Sequence, residues 1–350
     1  MNPVLVEAWR GDALESFHRG ALAVVDADGA LVASLGDIER PVFPRSAIKL
    51  LQALPLVASG AAERFGLSDE ELALACASHR GEPTHAATAA AMLARAGLDA
   101  SVLECGAHWP YDEPAARALA AAGQTPSALH NNCSGKHSGF ACLGCHMAGH
   151  VSGDRDPRGF LAGYVQPDHA VMREVSAAVQ AATGCDLAHA PRGIDGCSSP
   201  AYAIPLRQLA LGFARAGSGT GLAPGLTAAA QRLRQAVARA PFMVAGTGRF
   251  DTLVMQALGE RVFCKVGAEG MYCAALPEQG LGVAIKIDDG NTSRACEVVM
   301  AATLEALLPL HDDGQRALLA GLSSASLRNW RGTPVGRLAA HASLRRLLSD

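Results

Sequence analysis

The sequence contains very little lysine. Of its 30 Lys and Arg residues only four are lysines, at positions 49, 136, 265 and 286, and the other 26 are arginines. Arginine keeps its proton at neutral pH, whereas a buried lysine can become a neutral amine. A codon bias toward arginine explains the scarcity equally well, but it does not explain where the remaining lysines lie. Their surroundings are therefore the first candidates for a reactive site.

Charged residues are also few, at 18% of the 350 residues, while hydrophobic residues make up 49%. Soluble domains typically have about 25% charged residues, so this composition argues against disorder and provides for a large core. The formal net charge is only −3 and no Lys/Arg cluster occurs, which argues against nucleic acid or an anionic membrane surface as a partner. No run approaches the ~18 apolar residues of a membrane-spanning helix.

The N-terminus lacks the apolar run of a signal peptide, because Glu7, Arg10, Asp12 and Glu15 interrupt it. We therefore expect a cytoplasmic protein whose ten cysteines are reduced thiols. The stretch Cys142–His146 matches the C-x-x-C-H pattern of haem attachment. That chemistry requires export, so the stretch is interpreted as part of a buried helix.

Hydrophobic periodicity predicts strands at both ends of the chain and helices between them. Two alternating segments flank Asp26–Gly29, a turn typical of a hairpin. Helices are predicted over Ser46–Val57, Asp69–Ala96 (one or two), Pro114–Ala122, Asp168–Ala182, Ala201–Arg215 and Leu226–Ala240. Strands follow at Val262–Val266, Met271–Leu276 and Leu281–Ile287, with a helical tail from Thr292 onward.

This pattern predicts an α+β fold, with one antiparallel sheet built from both chain ends around a large helical insertion. We expect residues 1–350 to form a single catalytic unit. Residues 1–44 and 241–350 would form its sheet-containing part and residues 45–240 its mainly helical part. A site is expected at the boundary between the sheet and the helices.

Lys49 lies three residues after Ser46, at the start of a predicted helix. Three residues are nearly one helical turn, so the two side chains share a face. A serine at a helix N-terminus lies in a field that stabilises developing negative charge, and a neighbouring neutral amine can accept its proton. The spacing indicates a nucleophile and its base, although a capping serine followed by a solvated lysine gives the same pattern.

Lys265 ends a predicted strand, and Gly267 after it would allow a ligand to approach the backbone. A strand lysine together with an upstream S-x-x-K helix is typical of serine β-lactamases and penicillin-binding proteins. Ser78, in the polar cluster Ser78–Arg80, is the candidate for the further polar residue of such a site. A turn that ends the helix explains this cluster equally well.

The two other lysines lie in different surroundings. Lys136 and His137 belong to the polar cluster Asn131–His137, in the first turn of a predicted helix. Cations there oppose the helix dipole, so their presence is more consistent with a ligand than with helix stability. Lys286 alternates outward in its predicted strand and is interpreted as solvent-facing.

A second cluster, Gly193–Pro200, forms a Gly-bounded turn predicted to precede a helix. It contains Cys197, which could meet Cys133 as a pair of soft metal ligands. Two cysteines without histidines at a set spacing are weak evidence for zinc. The histidines that could add to them, each also explained as a structural or surface residue, are His79, His85 and His137.

Together these clusters resemble the L-asparaginase II family, typified by the inducible, thermolabile rhizobial asparaginase and distinct from the bacterial Thr-dependent enzymes. The matching stretches cover most of the chain in the family's order, which makes the resemblance specific. They are Glu15–Gly20, Phe43–Lys49, Ala77–His79, Asn131–His137, Gly193–Cys197 and Lys265–Gly270.

The resemblance implies a fold similar to serine β-lactamases, penicillin-binding proteins and glutaminases, a homodimer, and hydrolysis of L-asparagine to aspartate and ammonia. It implies two Ser–Lys pairs, Ser46 with Lys49 and Ser78 with Lys265. It also implies a zinc ion that positions the substrate. The implied zinc ligands are Cys133, Lys136 and Cys197. The implied substrate-binding residues are Arg45, His137 and Asp195, with Asp195 facing the ammonium and Arg45 the carboxylate.

A free lysine, with a pKa of about 10.4, is too basic to be deprotonated at neutral pH. Burial and a neighbouring cation disfavour its charged form, so packing Lys49 against Lys265 would prepare both amines to accept a proton. Three other functions stay open. They are another cytoplasmic serine amidohydrolase of the β-lactamase or glutaminase type, a zinc hydrolase that uses metal-bound hydroxide, and an amino-acid-binding protein without turnover.

Overall fold

The protein is described by a computed structural model over residues 1–151 and 157–349. Its strands within these residues are β1 (Val4–Arg10), β2 (Ala13–Asp26), β3 (Leu31–Leu35), β4 (Pro41–Val42), β5 (Arg192–Ile194), β6 (Pro200–Tyr202), β7 (Ile204–Pro205), β8 (Phe263–Val266), β9 (Met271–Leu276), β10 (Leu281–Ile287), β11 (Ser326–Arg328) and β12 (Pro334–Ala340). Eight of them form one antiparallel sheet, in the order β11-β12-β1-β2-β10-β9-β8 with β3 paired to β2. Short two-stranded pairs join β4 to β7 and β5 to β6.

The helices lie mostly between β4 and β8. They are α1 (Lys49–Ala58), α2 (Ala61–Arg64), α3 (Asp69–Ala75), α4 (Pro83–Arg95), α5 (Glu113–Ala121), α6 (Ser134–Val151), α7 (Pro157–Leu161), α8 (Ala170–Thr183), α9 (Leu206–Ser218), α10 (Pro224–Arg239), α11 (Phe242–Ala245), α12 (Phe250–Leu258), α13 (Glu297–Leu307), α14 (Asp313–Ser323) and α15 (Ala342–Ser349). None of these described helices is long and apolar enough to cross a membrane.

The α+β fold class, with a sheet built from both chain ends, is confirmed. The predicted hairpin is present, because the Asp26 carboxylate accepts backbone N–H bonds from Asp28 and Ala30 and closes the turn between β2 and β3. The stretch Cys142–His146 lies inside α6, as predicted. The division into a sheet-containing and a helical part stays a prediction.

Two predictions of secondary structure are wrong. The segment after Thr292 is not wholly helical, because β11 and β12 follow α14 and β12 pairs with β1. The turn Gly193–Pro200 leads into β6 rather than a helix, and it connects the two strands of a hairpin. Both strands that close the sheet after α14 are short or contain Pro and Gly, which weakens the strand signal in their sequence.

The helical insertion meets the sheet where it begins. A 3₁₀ helix, Arg45–Ile48, precedes α1 and contacts β8 and β9, while α9 packs against β2, β9 and β10. The chain therefore carries Ser46 and Lys49 to the end of the strand that holds Lys265. The boundary that the sequence predicts for a site is a real contact surface in the fold.

Candidate active site

Lys49 is the centre of a buried hydrogen-bond cluster. Its side chain is 1% exposed, and its Nζ donates to the Ala77 carbonyl oxygen at 2.5 Å and to the Ser78 Oγ at 3.1 Å. It also lies 3.1 Å from the Cys133 Sγ. The described hydrogen bonds of this amine therefore pair it with Ser78, whereas the resemblance pairs it with Ser46.

Ser46 and Ser78 nevertheless face one cleft of about 410 Å³. Gly267 and Ala268 line the same cleft beyond the end of β8, together with the two cations Arg80 and Arg249. Of the described residues that line it, none is Asp or Glu. A positive cleft around two serine hydroxyls favours a substrate that carries a carboxylate.

The two cleft arginines are only loosely paired. Arg80 Nη2 donates to the Tyr111 carbonyl oxygen at 3.0 Å and lies 3.7 Å from Asp112, and Arg249 Nη2 lies 3.5 Å from Glu297. The sequence motifs include Arg80 but not Arg249. Arg249 lies 171 residues after Ser78 in the sequence, yet both residues line the same cleft. Only the folding of the chain brings Arg80 and Arg249 into one cleft with the two serines.

Two glycines allow the site to assemble. A Cβ on Gly135 would lie 2.3 Å from the Leu74 carbonyl oxygen, so only glycine lets the start of α6 approach the end of α3. A Cβ on Gly267 would lie 2.6 Å from the Pro44 carbonyl oxygen. The chain just before the 3₁₀ helix makes this close approach, and Gly267 also lines the serine cleft, so the approach of a ligand there stays a prediction.

His79 fixes the segment that carries Ser78. Its Nε2 lies 2.9 Å from the Ser134 Oγ, its Nδ1 accepts the Gly81 N–H at 3.0 Å, and its ring stacks on His85. Burial lowers the pKa of His79 well below its ordinary value, so the ring is neutral. The Ser78 N–H donates to the Val244 carbonyl oxygen at 2.9 Å. These contacts give His79 a structural role.

Lys265 is fully buried at the end of β8. Its Nζ donates to the carbonyl oxygen of Val266 at 2.8 Å and lies 3.7 Å from the Asp251 Oδ2. Burial lowers its pKa to about 8, with the positive charge of Lys49 acting in the same direction and Asp251 opposing it. Burial is therefore the main cause of the lowered pKa of Lys265, and the Lys49 charge adds to it. No described hydrogen bond of Lys265 reaches Ser78.

The three implied zinc ligands lie together. Cys133 and Cys197 belong to one buried cluster, and Lys136 Nζ lies 3.1 Å from the Cys197 Sγ and 3.2 Å from the Ser199 Oγ. All three side chains are buried. The neighbouring Cys133 thiol and the Lys136 cation lower the pKa of Cys197 far below its ordinary value. Burial disfavours the Lys136 charge, but the two sulfur atoms raise its pKa overall.

This donor set fits a soft divalent cation. Two cysteine sulfurs and one amine match the sulfur and nitrogen ligands of zinc. Cys197 already favours the thiolate, so the protons that would leave on binding are those of Cys133 and Lys136. Over the described residues, no group of three or more His, Cys, Asp or Glu side chains could hold a metal. A third ligand from the protein would therefore be Lys136. His137 adjoins this cluster: its Nδ1 lies 2.7 Å from the Tyr164 hydroxyl, and its Nε2 lies 3.4 Å from the Ser199 Oγ that Lys136 also contacts.

Arg45 and Asp195 are brought together as a salt bridge. The Arg45 Nε and Nη2 both lie 2.8 Å from the Asp195 Oδ1. Arg45 has a positive φ of 51°, a strained conformation for a residue with a side chain. The pair lines a cavity beside Tyr202 and not the serine cleft itself. Strain of this kind is typical of residues held for function rather than stability.

The interpretation of Lys286 as a solvent-facing residue is wrong. Its side chain is half-buried rather than solvent-facing, and its amine donates to the Glu269 carbonyl oxygen. Burial lowers its pKa. It lines a cavity with Arg40 and Arg45, and none of its described contacts is with either serine.

Comparisons with known proteins give one family. A family model described as L-asparaginase II matches residues 6–340. No curated protein matches the sequence significantly. Among solved structures, a β-lactamase from Mycobacterium bovis is 13% identical, with 80% of this chain and 90% of that chain covered and a TM-score of 0.37. The protein Mglu is 14% identical over 79% of this chain, which spans 64% of the Mglu chain, with a TM-score of 0.34.

Proposed function

Because the chain belongs to the L-asparaginase II family, which indicates an amidohydrolase, we propose that it hydrolyses L-asparagine to L-aspartate and ammonia. The observation that carries the proposal is the buried Lys49 amine, 3.1 Å from the Ser78 hydroxyl at the edge of a cleft shared with Ser46. A serine with an amine at this distance is the minimum that acyl transfer requires.

In the proposed reaction, a serine oxygen attacks the side-chain carbonyl carbon of asparagine while its proton passes to an amine base. The resulting tetrahedral oxyanion collapses, the C–N bond breaks, and ammonia leaves with a proton returned from that base. Water then cleaves the acyl-enzyme ester, with the amine again accepting and returning a proton. Backbone N–H groups near Ser46 would stabilise the oxyanion.

Two assignments of the serines follow from the hydrogen bond of Lys49. In one, Ser78 attacks directly and Lys49 accepts its proton. In the other, which the β-lactamase resemblance favours, Ser46 attacks and Ser78 passes the proton to Lys49. Lys265 would serve as the second amine base in either case. Mass spectrometry of the acyl-enzyme after rapid quenching identifies the modified serine.

Recognition of a free amino acid needs one partner of each charge, and Arg45 and Asp195 provide both. We propose that the substrate ammonium replaces Arg45 at the Asp195 carboxylate and that the substrate carboxylate receives the freed guanidinium. His137 would complete this pocket. The salt bridge of 2.8 Å then keeps the two charges compensated until substrate arrives.

Zinc would be held by Cys133, Lys136 and Cys197. When bound, the ion would supply a fixed positive charge next to the substrate pocket and orient the substrate. A serine already fills the role of nucleophile, so the proposal does not use metal-bound hydroxide. We also propose a homodimer, which light scattering of the purified protein would measure.

The deciding experiment measures ammonia release from asparagine by the wild type and by Ser46→Ala and Ser78→Ala, with bound metal quantified in the same samples. Ammonia release from asparagine by the wild type, together with its loss in both variants, supports the proposal. Preference for glutamine or a chromogenic β-lactam identifies another serine amidohydrolase. Full activity of both variants indicates metal-bound hydroxide, and saturable binding without ammonia indicates a binding protein.

A further inference from the structure

Asp251 is a buried carboxylate beside Lys265 that no sequence motif identifies. It lies in the first turn of α12 and is 1% exposed. Its Oδ2 lies 3.7 Å from the Lys265 Nζ and accepts the Val266 N–H at 3.2 Å, while the Tyr272 hydroxyl donates to its Oδ1. Both carboxylate oxygens therefore have partners.

A carboxylate in an apolar interior is costly unless it is paired and hydrogen-bonded. Burial raises the pKa of Asp251, while Lys265 and the Val266 N–H act to lower it. In return, the carboxylate opposes the effect of burial on Lys265, whose pKa settles near 8. Without this partner, the buried amine would lose its proton at a lower pH.

We propose that Asp251, held in place by Tyr272, positions the Lys265 amine and sets the pH at which this amine gives up its proton. The inference rests on the proposed function only in taking Lys265 as a base. Asp251 itself does not line the serine cleft, so it is a positioning residue and acts through Lys265. Tyr272 lies on β9, next to β8, which fixes the carboxylate from the sheet side.

Other titratable groups face this pair from every neighbouring element. Cys264 precedes Lys265 on β8, and Arg249 and Glu297 act on Asp251. The remaining groups that interact with Lys265 are Lys49, Cys76, Cys133 and Cys273. Burial raises the pKa of Cys76 to about 12 and that of Cys264 and Cys273 above the ordinary value, so these thiols carry no charge at neutral pH. Of these neighbours, Asp251 carries the negative charge nearest to Lys265.

The scarcity of lysine makes a direct test practical. Protein labelled with [ε-¹³C]lysine has only four labelled side chains, and Lys265→Met identifies the Lys265 signal. We expect that signal to titrate near pH 8 in the wild type. In Asp251→Asn it should titrate about one pH unit lower or more. Tyr272→Phe should shift it in the same direction by less, because the carboxylate loses a hydrogen bond that favours its charge.

A matched control removes a buried carboxylate elsewhere. Glu71 is 3% exposed and pairs with Arg95 on α4, and glutamine suits its position in the capping box of α3. Glu71→Gln should leave the Lys265 signal unchanged. If Asp251→Asn does not fold, the titration of the Lys265 signal in Tyr272→Phe still tests the inference. A Lys265 titration that stays in place in the folded Asp251 and Tyr272 variants would overturn the inference.

Kinetics separate this inference from the proposed function. If the wild type hydrolyses asparagine, the acid limb of its kcat profile should move to lower pH in Asp251→Asn, with KM changed less than about threefold. Plateau kcat should fall about 10-fold or more because the amine loses its anchor. If the wild type does not release ammonia, the proposed function fails, yet the NMR titration still tests the Asp251–Lys265 pair.

Discussion

Lys49 Nζ lies 3.1 Å from the Ser78 Oγ, although 29 residues separate the two along the chain. The start of α1 and the segment after α3 meet at this point, with the start of α6 close behind because position 135 is glycine. A proton can pass directly between two groups at this distance. Among the described hydrogen bonds of the four lysines, this is the one that reaches a serine of the cleft.

Replacing Lys49 by arginine should remove turnover. Lys49→Arg keeps the positive charge but removes an amine that can accept a proton, so we expect kcat to fall about 10²–10⁴-fold. Lys286→Arg is the matched control, since that residue contacts neither serine and should retain activity. Steady-state ammonia release measures both. Wild-type turnover by Lys49→Arg would falsify the assignment of this amine as base.

Metal content should depend on the two thiols and on Lys136. We expect Cys133→Ser, Cys197→Ser and Lys136→Met each to lower the zinc that copurifies with the protein, because each loses one of three ligands. Cys185→Ala changes a buried thiol outside the cluster and should leave zinc unchanged. Inductively coupled plasma mass spectrometry gives the stoichiometry. Equal zinc in all four variants would place the metal elsewhere or show that none is held.

Loss of the Asp195 charge should weaken substrate binding more than catalysis. Asp195→Asn leaves Arg45 without its salt bridge and the substrate ammonium without a carboxylate. A hydrogen bond to a charged group contributes about 1.5–3 kcal/mol, so KM for asparagine should rise about 10- to 100-fold with a smaller change in kcat. Asp186→Asn, at an exposed aspartate paired with His189, is the control. A fall confined to kcat would contradict a binding role.

Stability should fall in mild acid because of buried histidines. Burial lowers the pKa of His79 and His85, so the folded protein keeps both rings neutral where the unfolded chain protonates them. Their contribution is complete above the unfolded pKa of about 6.5 and is lost as the pH falls below it, by up to about 1.4 kcal/mol per pH unit for each ring.

Urea unfolding at several pH values between 7.5 and 5 measures this slope. His85→Phe retains a ring against Phe242 and should make the slope shallower, whatever its effect on stability at pH 7.5. His311→Gln changes an exposed histidine and should leave the slope as it is. An identical slope in His85→Phe would mean that other groups cause the acid sensitivity.

The sequence allowed the main elements to be predicted where the periodicity was long or the turn chemistry strong. The β2–β3 hairpin and α10 are examples, since Asp26 closes the first and an apolar stripe defines the second. The spacing of Ser46 and Lys49 placed both side chains on one face. It could not show which hydroxyl the amine would reach, because that depends on how closely α3 approaches α1.

Asp251 shows a different limit. One aspartate in an otherwise amphipathic helix has no local pattern that separates it from a solvated residue. Its burial arises only when α12 packs against β8, which follows it after a 3₁₀ turn. In the same way, β12 became recognisable as a strand only through its pairing with β1. Both features depend on tertiary contacts that no window of sequence contains.

The pairing of β2 with β10 also sets the order of events on the ribosome. Val24 pairs with Val283, so the central strand of the sheet waits for most of the chain to be translated before its partner exists. At about 5–20 residues per second, this wait lasts roughly 10–50 s. During that time one edge of β2 has no partner strand and can pair with other nascent chains, and β8, which carries Lys265, is not yet part of the sheet. A chaperone that covers strand edges should therefore raise the yield of active protein.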